Sequence, residues 1–289
     1  RRSAEQTRKR QGDRAAYKEE SWHWELTITT PRHGERAWQI GHIDHTELDV
    51  ELVHSKTGRN LGRCWATFMV DAYSRKLLVV YLSFDPPSYR TLMMVLRDCV
   101  RKFGRLPQSL IVDNGKEFDS VYFESLLGLY GCHKLNRPPH KARFGSVVER
   151  LFGTSNSQLV HNLTANTKIM KNVRQVTKSV NPKNHSIWTI GSLYVAFQAW
   201  SDLYNSLDHP ALGVRPEEAF STSLKRAGTR LHKLIPYDDA FLLATLPSTS
   251  KGTAKVQTNS GVRVNHFDYW SDQMKHPAIQ GNQVPIRYD

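Results

Sequence analysis

Residues 38–53, WQIGHIDHTELDVELV, decide how the chain is read. The stretch has the texture of a β-strand, and alternation puts His42, Asp44 and Thr46 on one face. A carboxylate is disfavoured in mid-strand, so Asp44 is either an ordinary strand aspartate or part of a site. Two later acidic residues decide between these. Asp113 opens DNGKEF (113–118) straight after the apolar SLIV, and Glu149 lies in GSVVER (145–150), with thirty-five residues between them. Carboxylates from a strand, a strand end and a helix suit two hard divalent cations, which prefer oxygen ligands. Two such ions about 3.5–4 Å apart stabilise the attacking and leaving oxygens of a phosphoryl displacement. The pattern points to phosphoryl transfer on a polynucleotide.

Outward from that stretch, RCWATFMVDAYS (63–74) and KLLVVYLSF (76–84) read as two more strands, with turn signals at SKTGRN (55–60) and DAYSRK (71–76). In PSYRTLMMVLRDCVRKFG (87–104), Leu92, Val95, Leu96, Cys99 and Phe103 fall at helical spacing and Gly104 is a stop. SLIVDNG is a short buried strand ending in a turn, SVYFESLLGLYG (120–131) a helix and HKLNRP (133–138) a further strand. VVERLFGTSNSQLVHNL (147–163) is the helix that carries Glu149. Three strands followed by strand–helix alternation describe a mixed α/β sheet flanked by helices. Its strand ends converge on one edge, where ligand crevices form.

The formal charge of +13 and a pI near 9.7 call for a polyanionic partner, nucleic acid before an anionic membrane. No apolar run approaches the roughly 20 residues of a membrane span, and no secretory signal opens the chain. Cys64, Cys99 and Cys132 are widely spaced and odd in number, which fits a reducing compartment and gives no zinc pattern. The sequence opens at Arg1 and not Met, so a fragment of a longer protein is expected. At 289 residues it is long enough for two domains.

The order of these elements, with an aspartate in the first strand, another after the fourth and a glutamate on a later helix, resembles the ribonuclease H-like core of DDE transposases and retroviral integrases. DHTELDVELV (44–53), VDAYSRKLL (70–78), DNGKEF, PPHKARFGSVVERLFGT (138–154) and YNSLDHPALGVRPEEAF (204–220) narrow it to the TnsB/TniA transposases, relatives of the phage Mu transposase. The resemblance covers about residues 36–220. It implies that Asp44, Asp113 and Glu149 are catalytic and bind two Mg2+ ions, for which Mn2+ substitutes, with Asp44 shared between them. It also implies a DNA transposase that frees a 3′-hydroxyl at a transposon end and joins it to target DNA. The expected partners are end and target DNA, further copies of the chain on paired ends, and an AAA+ ATPase; a partner endonuclease for the second strand stays open. The expected place is the bacterial cytoplasm, on DNA. Gly153 and Asn156 stand where retroviral integrases carry lysines after the glutamate, so DNA contacts on that helix are not carried over.

Each residue has a plainer reading. Asp49 and Asp71 rival Asp44, but Asp71 precedes a hairpin turn, where capping suffices. Asp113-Asn114-Gly115 is turn chemistry by itself, and Ser146-Val147-Val148-Glu149 is a capping box in which Glu149 bonds back to the helix start. His42, on the face of Asp44, is placed either to approach the ions or, more commonly for a strand histidine, to pack and hydrogen-bond. His140, Lys141 and Arg143 are placed to hold a phosphate or to line a solvated loop. Lys168, Lys171, Arg174, Lys178 and Lys183 fall between His161 and Ser186, where no acidic residue occurs. That favours phosphate contacts without sequence reading, or a solvated surface loop. Tyr194, Phe197, Trp200 and Tyr204 form a stripe expected to be core and not a base-stacking platform.

The expected organisation is a basic arm over 1–35, an integrase-type core over 36–220, a linker over 221–230 and a small β-barrel over 231–289. The barrel rests on YDDAFLLATLP (237–247), KGTAKVQTNSG (251–261), VRVNHFDYWS (262–271) and QVPIRYD (283–289), read as short strands. A hydrolytic nuclease of the same fold and an inactive DNA-binding scaffold are the alternatives. The basic segment and the trailing β domain argue against the first, and the intact acidic triad against the second.

Overall fold

The computed structural model describes residues 3–17, 19, 33–138, 145–168, 181–249, 251–264 and 266–288, which divide into two units, Arg1–Ile235 and Pro236–Asp289. The first unit opens with two short helices, α1 (Ala4–Gln11) and α2 (Asp13–Ala16), within the stretch read as an arm. Strand β1 (Ile40–Glu47) follows, then a small hairpin of β2 (Leu52–Val53) and β3 (Asn60–Gly62), then β4 (Trp65–Asp71) and β5 (Leu77–Ser83). The reading of 38–53 as one strand is thus divided, because the chain turns at Leu48–Asp49 and the SKTGRN signal closes the β2–β3 hairpin. Helix α3 (Tyr89–Phe103) leads to β6 (Ser109–Val112), α4 (Val121–Leu129) and β7 (His133–Asn136). Helices α5 (Ser146–Gln158), α6 (Ile190–Ser206) and α7 (Pro216–Ala227) complete the unit. None of the described helices is long and apolar enough to cross a membrane.

Five strands form one sheet in the order β5-β4-β1-β6-β7, antiparallel through β5, β4 and β1 and parallel from β1 to β7. This is the mixed sheet flanked by helices expected from the sequence. Register explains which face does what. Asp44 pairs with Phe68 on β4, so the two side chains leave the same face. There Phe68 stacks on Phe152 of α5, with ring centroids 4.6 Å apart, and meets Phe197 of α6 edge-on at 5.8 Å. Val148, Leu151, Leu193 and Trp200 join the same buried cluster. The aromatic stripe of 194–204 is therefore core, and it holds α5, with Glu149 in its first turn, over the face from which Asp44 projects. Alternation sends Ile43 and Met69 to the opposite face, and α3 packs against β4 and β5 with Leu92, Val95, Leu96 and Cys99 buried. Gly104 ends α3 in the left-handed region at φ 64, where a glycine carries no Cβ penalty.

Edge strand β5 is tied to α6 by one side chain. The Asn205 amide accepts from the Leu77 N–H at 2.9 Å and donates to the Leu77 carbonyl at 3.1 Å. Helix α7 covers most of 221–230, and Ser223 Oγ accepts from the Ala37 N–H at 2.8 Å just ahead of β1.

In the second unit the stretch 237–247 is a helix, α8 (Asp239–Thr245), and not the expected strand. Asp238 caps it, accepting from the Phe241 N–H at 2.9 Å, a local signal that outweighs strand propensity. Strands β8 (Thr253–Lys255) and β11 (Gln283–Pro285) pair with each other, as do β9 (Val262–Val264) and β10 (Phe267–Tyr269). Both pairs are separate two-stranded ladders, and no closed barrel forms among the described residues. Three-residue strands offer too few ladder bonds to close one; a shared cluster of Val256, Val262, Val264 and Ile286 holds this unit together.

Candidate active site

The site begins with strand register. β1 and β6 run parallel with Ile40 beside Ser109, Gly41 beside Leu110 and His42 beside Ile111. Asp44 lies two residues past His42, and Asp113 two past Ile111, just beyond the end of β6; the charges of both act on His45 and Glu117. Gly41 lets Pro107 pack against β1, since a Cβ there would sit 2.8 Å from Pro107 Cγ. Asp113 stands at the end of β6, where its Oδ1 accepts from the Gly115 N–H at 2.9 Å. Asn114 donates to the Arg137 carbonyl at 3.2 Å and so ties that turn to the end of β7. The turn reading of Asp113 and Asn114 is correct as local structure, and it leaves a second Asp113 oxygen uncommitted by that bond.

Glu149 does not form the capping box. Helix α5 starts from Gly145 without a side-chain cap, and Glu149 Oε1 instead lies 3.6 Å from Arg137 Nη1. Arg137 Nη2 also donates to Asp44 Oδ2 at 2.8 Å. One guanidinium thus bridges the carboxylates of β1 and α5. The Arg137 and Asp44 side chains are 11% and 15% exposed, whereas Glu149 is 53% exposed. That difference makes the Asp44 contact the stronger of the two, since a solvated pair is screened. Arg137 Nε is buried without a partner, so this cation is held by two ends of its fork and not by a complete cage. Gly145 gives it room: a Cβ there would collide with Arg137 Nη1 and come within 2.6 Å of Glu149 Oε1. The Gly-Ser before the helix has its physical reason in that approach.

A fourth carboxylate belongs to the crevice. Glu117 lies in the short helical turn Lys116–Asp119, and its carboxylate occupies the space that a Cβ on Gly115 would fill. Burial pushes its pKa up, and the charges of Asp113, Asp44 and Asp119 push the same way. DNGKEF contains Glu117, but nothing in its local pattern singles it out in the sequence. His45, also missed, packs its ring on Phe118 at 5.3 Å and shares a hydrogen bond with Thr67 Oγ1 at 2.7 Å. Burial lowers its pKa while Asp44 and Asp113 raise it. His42 is fully buried, and its pKa is lowered to about 3 by burial first and then by Arg137, His33 and Arg75. It is a neutral packing residue.

The rivals of Asp44 are engaged elsewhere. Asp71 accepts from the N–H groups of Trp38 and Ser74, both at 2.8 Å, and from the Ser74 hydroxyl at 2.7 Å. Asp49 pairs with Arg63 at 2.9 Å and lies 3.4 Å from His161. His140, Lys141 and Arg143 lie outside the described residues, as do Lys171, Arg174 and Lys178. Lys168 is described and exposed, away from any contact with the carboxylates that is resolved.

The donors facing the crevice are oxygens, the set that suits a hard cation, and positive charge already occupies it in the form of Arg137. Among the described residues no group of three or more His, Cys, Asp or Glu side chains is gathered closely enough to hold a metal ion as it stands. The class defined by fold and crevice is a mixed α/β domain whose sheet edge gathers acidic side chains.

The particular family follows from comparison. Residues 42–165 match the TnsB C-terminal domain, and the matched segment contains Asp44, Asp113, Arg137 and Glu149. This segment is similar to the TnsB C-terminal domain, a match over less than half of the chain. The transposase of transposon Tn552 from Staphylococcus aureus is 25% identical over 139 residues, covering 46% of this chain and 28% of that protein. The chain thus spans little more than a quarter of the length of that relative. Among solved structures, a chain of the simian T-cell lymphotropic virus intasome, in complex with PP2A regulatory subunit B56 gamma, aligns at TM-score 0.45 and 15% identity, over 78% of this chain and 64% of that one. The HTLV-2 integrase catalytic core domain, in complex with magnesium, aligns at TM-score 0.42 and 15% identity, over 65% of this chain and 99% of that one.

Proposed function

We propose that the chain carries the catalytic core of a DNA transposase that cuts a transposon end and joins its 3′-hydroxyl to target DNA. One observation supports this above the others: Asp44 and Glu149, from β1 and α5, are drawn to a single positive group, with Asp113 just past the end of the neighbouring strand β6. Asp44, Asp113 and Glu149 would hold two Mg2+ ions, Asp44 contributing to both. When bound, such ions activate the attacking oxygen and stabilise the leaving oxygen of an in-line displacement. The protein's own part is positioning. Neighbouring strands β1 and β6 would position the two aspartates, and the Phe68–Phe152 stack the approach of α5. No side chain is assigned as a covalent nucleophile, so catalysis rests on orientation and charge neutralisation.

The same reading implies DNA ends and target DNA as substrates, assembly of several copies on paired ends, and an AAA+ ATPase that delivers target. The deciding experiment supplies end DNA that already carries a free 3′-hydroxyl, Mg2+ and a supercoiled target to the full-length protein with its ATPase partner. A transposase skips hydrolysis and yields a covalent branched product. Shortened strands without any joined product would establish the hydrolytic nuclease in its place.

A further inference from the structure

Two stretches singled out by the family resemblance, VDAYSRKLL and YNSLDHPALGVRPEEAF, meet at helix α5. They enclose a cavity of about 70 Å3 lined by His33, Arg75, Ser146, Arg150, Thr154, Tyr204 and His209 together with small and apolar groups. That volume exceeds the roughly 10–15 Å3 needed for one water. We propose that this cavity binds one backbone phosphate of duplex DNA, next to the acidic crevice; the proposal rests on the transposase reading.

The argument starts from the helix. Ser146, Arg150 and Thr154 recur every four residues and form one stripe of α5, beside the stripe that carries Glu149. Arg75 comes from the β4–β5 turn, where its backbone takes the left-handed conformation at φ 62. That strained conformation is held by the Arg75 N–H donating to the Asp71 carbonyl at 2.9 Å and by Nη1 donating to the Ala72 carbonyl at 2.7 Å. The Tyr204 hydroxyl donates to the Arg75 carbonyl at 3.2 Å, fixing the turn from the side of α6. The guanidinium is thus anchored at one nitrogen while lining the cavity with others.

The charges are one-sided. The lining holds two guanidiniums and two imidazoles, and no Asp or Glu lines it among the described residues. Both arginines act on both histidines: the pKa of His33 is lowered to about 4 by burial, then by Arg75 and Arg150, and that of His209 is lowered by the same three causes. Asp71, the acid acting on Arg75, is buried and committed to Trp38 and Ser74. Positive groups gathered without a carboxylate in the same cavity, with hydroxyls between them, suit a tetrahedral oxyanion. Arginine forks match that geometry better than lysine does. A phosphate held here sits beside the helix that bears Glu149, where it would set the register of the strand whose next phosphates enter the crevice.

The test uses the full chain, a duplex oligonucleotide and a KCl series, with binding read by fluorescence anisotropy. Arg150→Gln removes an exposed side chain and leaves the β4–β5 turn intact, so folding is not at stake. It should reduce the slope of log K against log[KCl] by about 0.9, the value for one lost phosphate contact on duplex DNA. Arg150→Lys should restore the slope but not the full affinity. Inorganic phosphate should compete with DNA for the wild type and less for Arg150→Gln. Competition by phosphate with an unchanged DNA slope would identify a free-phosphate site and overturn the DNA assignment. An unchanged slope without competition, in a wild type that binds duplex, would overturn the cavity proposal alone. A wild type that binds no duplex would overturn the transposase reading as well.

Discussion

Asp44 and Asp71 lie three residues apart in the β1–β4 ladder, since Gly41 is the partner of Asp71, yet they are held in opposite ways. Asp71 is fully buried and satisfied by two backbone N–H groups and a hydroxyl, none of which can leave without unfolding the turn. Burial pushes its pKa up, and those hydrogen bonds and Arg75 hold it down. Asp44 accepts the adjacent His45 N–H on one oxygen, and among the described residues its other oxygen meets the tip of a long side chain, Arg137. A carboxylate tied to the backbone is structure. One balanced by a side-chain cation can exchange that cation for another, and this is the property a metal-dependent site needs.

The largest effect that would break this contrast is on activity. Asp44→Asn, Asp113→Asn and Glu149→Gln should each reduce strand joining by about 1,000-fold or more, equivalent to about 4 kcal/mol of activation free energy. End binding should be nearly unchanged. Joining by any one variant at the wild-type rate removes that residue from the site. Asp71→Asn, assayed in parallel below its melting temperature, should stay active.

Next is Arg137→Ala, which leaves a mostly buried Asp44 carboxylate without its cation. Breaking a buried pair costs about 3–5 kcal/mol, and the partial exposure of Glu149 puts the loss at the low end, about 3 kcal/mol. Thermal unfolding measures it. Added Mg2+ should recover more stability in this variant than in wild type, because nothing competes for the carboxylates; equal recovery would mean that Arg137 does not occupy the place of the ion.

Asp71→Asn should then lower stability by about 2 kcal/mol, since an amide NH2 would face a backbone donor in a buried site. Mg2+ should restore none of it. Smallest is Gly145→Ala, expected to cost about 1 kcal/mol. Its backbone, at φ −96, accepts alanine, so the cost lies in the Cβ pressing on Arg137 and Glu149. A gain in stability, as expected of alanine in an unobstructed helix start, would show that the close approach is not needed.

Much of this was legible in the chain. The period-2 and period-3.6 patterns marked β1, β4, β5, α3 and β6, because burial on a sheet or helix face repeats at those intervals. The same reasoning made Asp71 a turn cap and the 194–204 aromatics a core stripe, and both hold. Local patterns failed where another group competed, distant in one case and local in the other. Ser146-Val147-Val148-Glu149 spells a capping box, but Arg137 draws Glu149 away from it. Residues 237–247 spell a strand, but Asp238 starts a helix. Short strands near the C-terminus suggested closure, although three-residue ladders cannot provide it.

By itself, then, the sequence determined the order of the elements, the faces they bury and the carboxylates at their ends, since periodicity and spacing are properties of a linear chain. Only the tertiary structure decided which charges meet. Arg137 is one of 40 lysines and arginines, and nothing in its neighbourhood announces that β7 will carry it between β1 and α5. The cavity lined by α5 draws on residues 33, 75, 150 and 209, from four separate segments. Coulombic and hydrogen-bonding partners are chosen by distance in space, and that distance exists only once the Phe68 cluster has set α5 and α6 against the sheet.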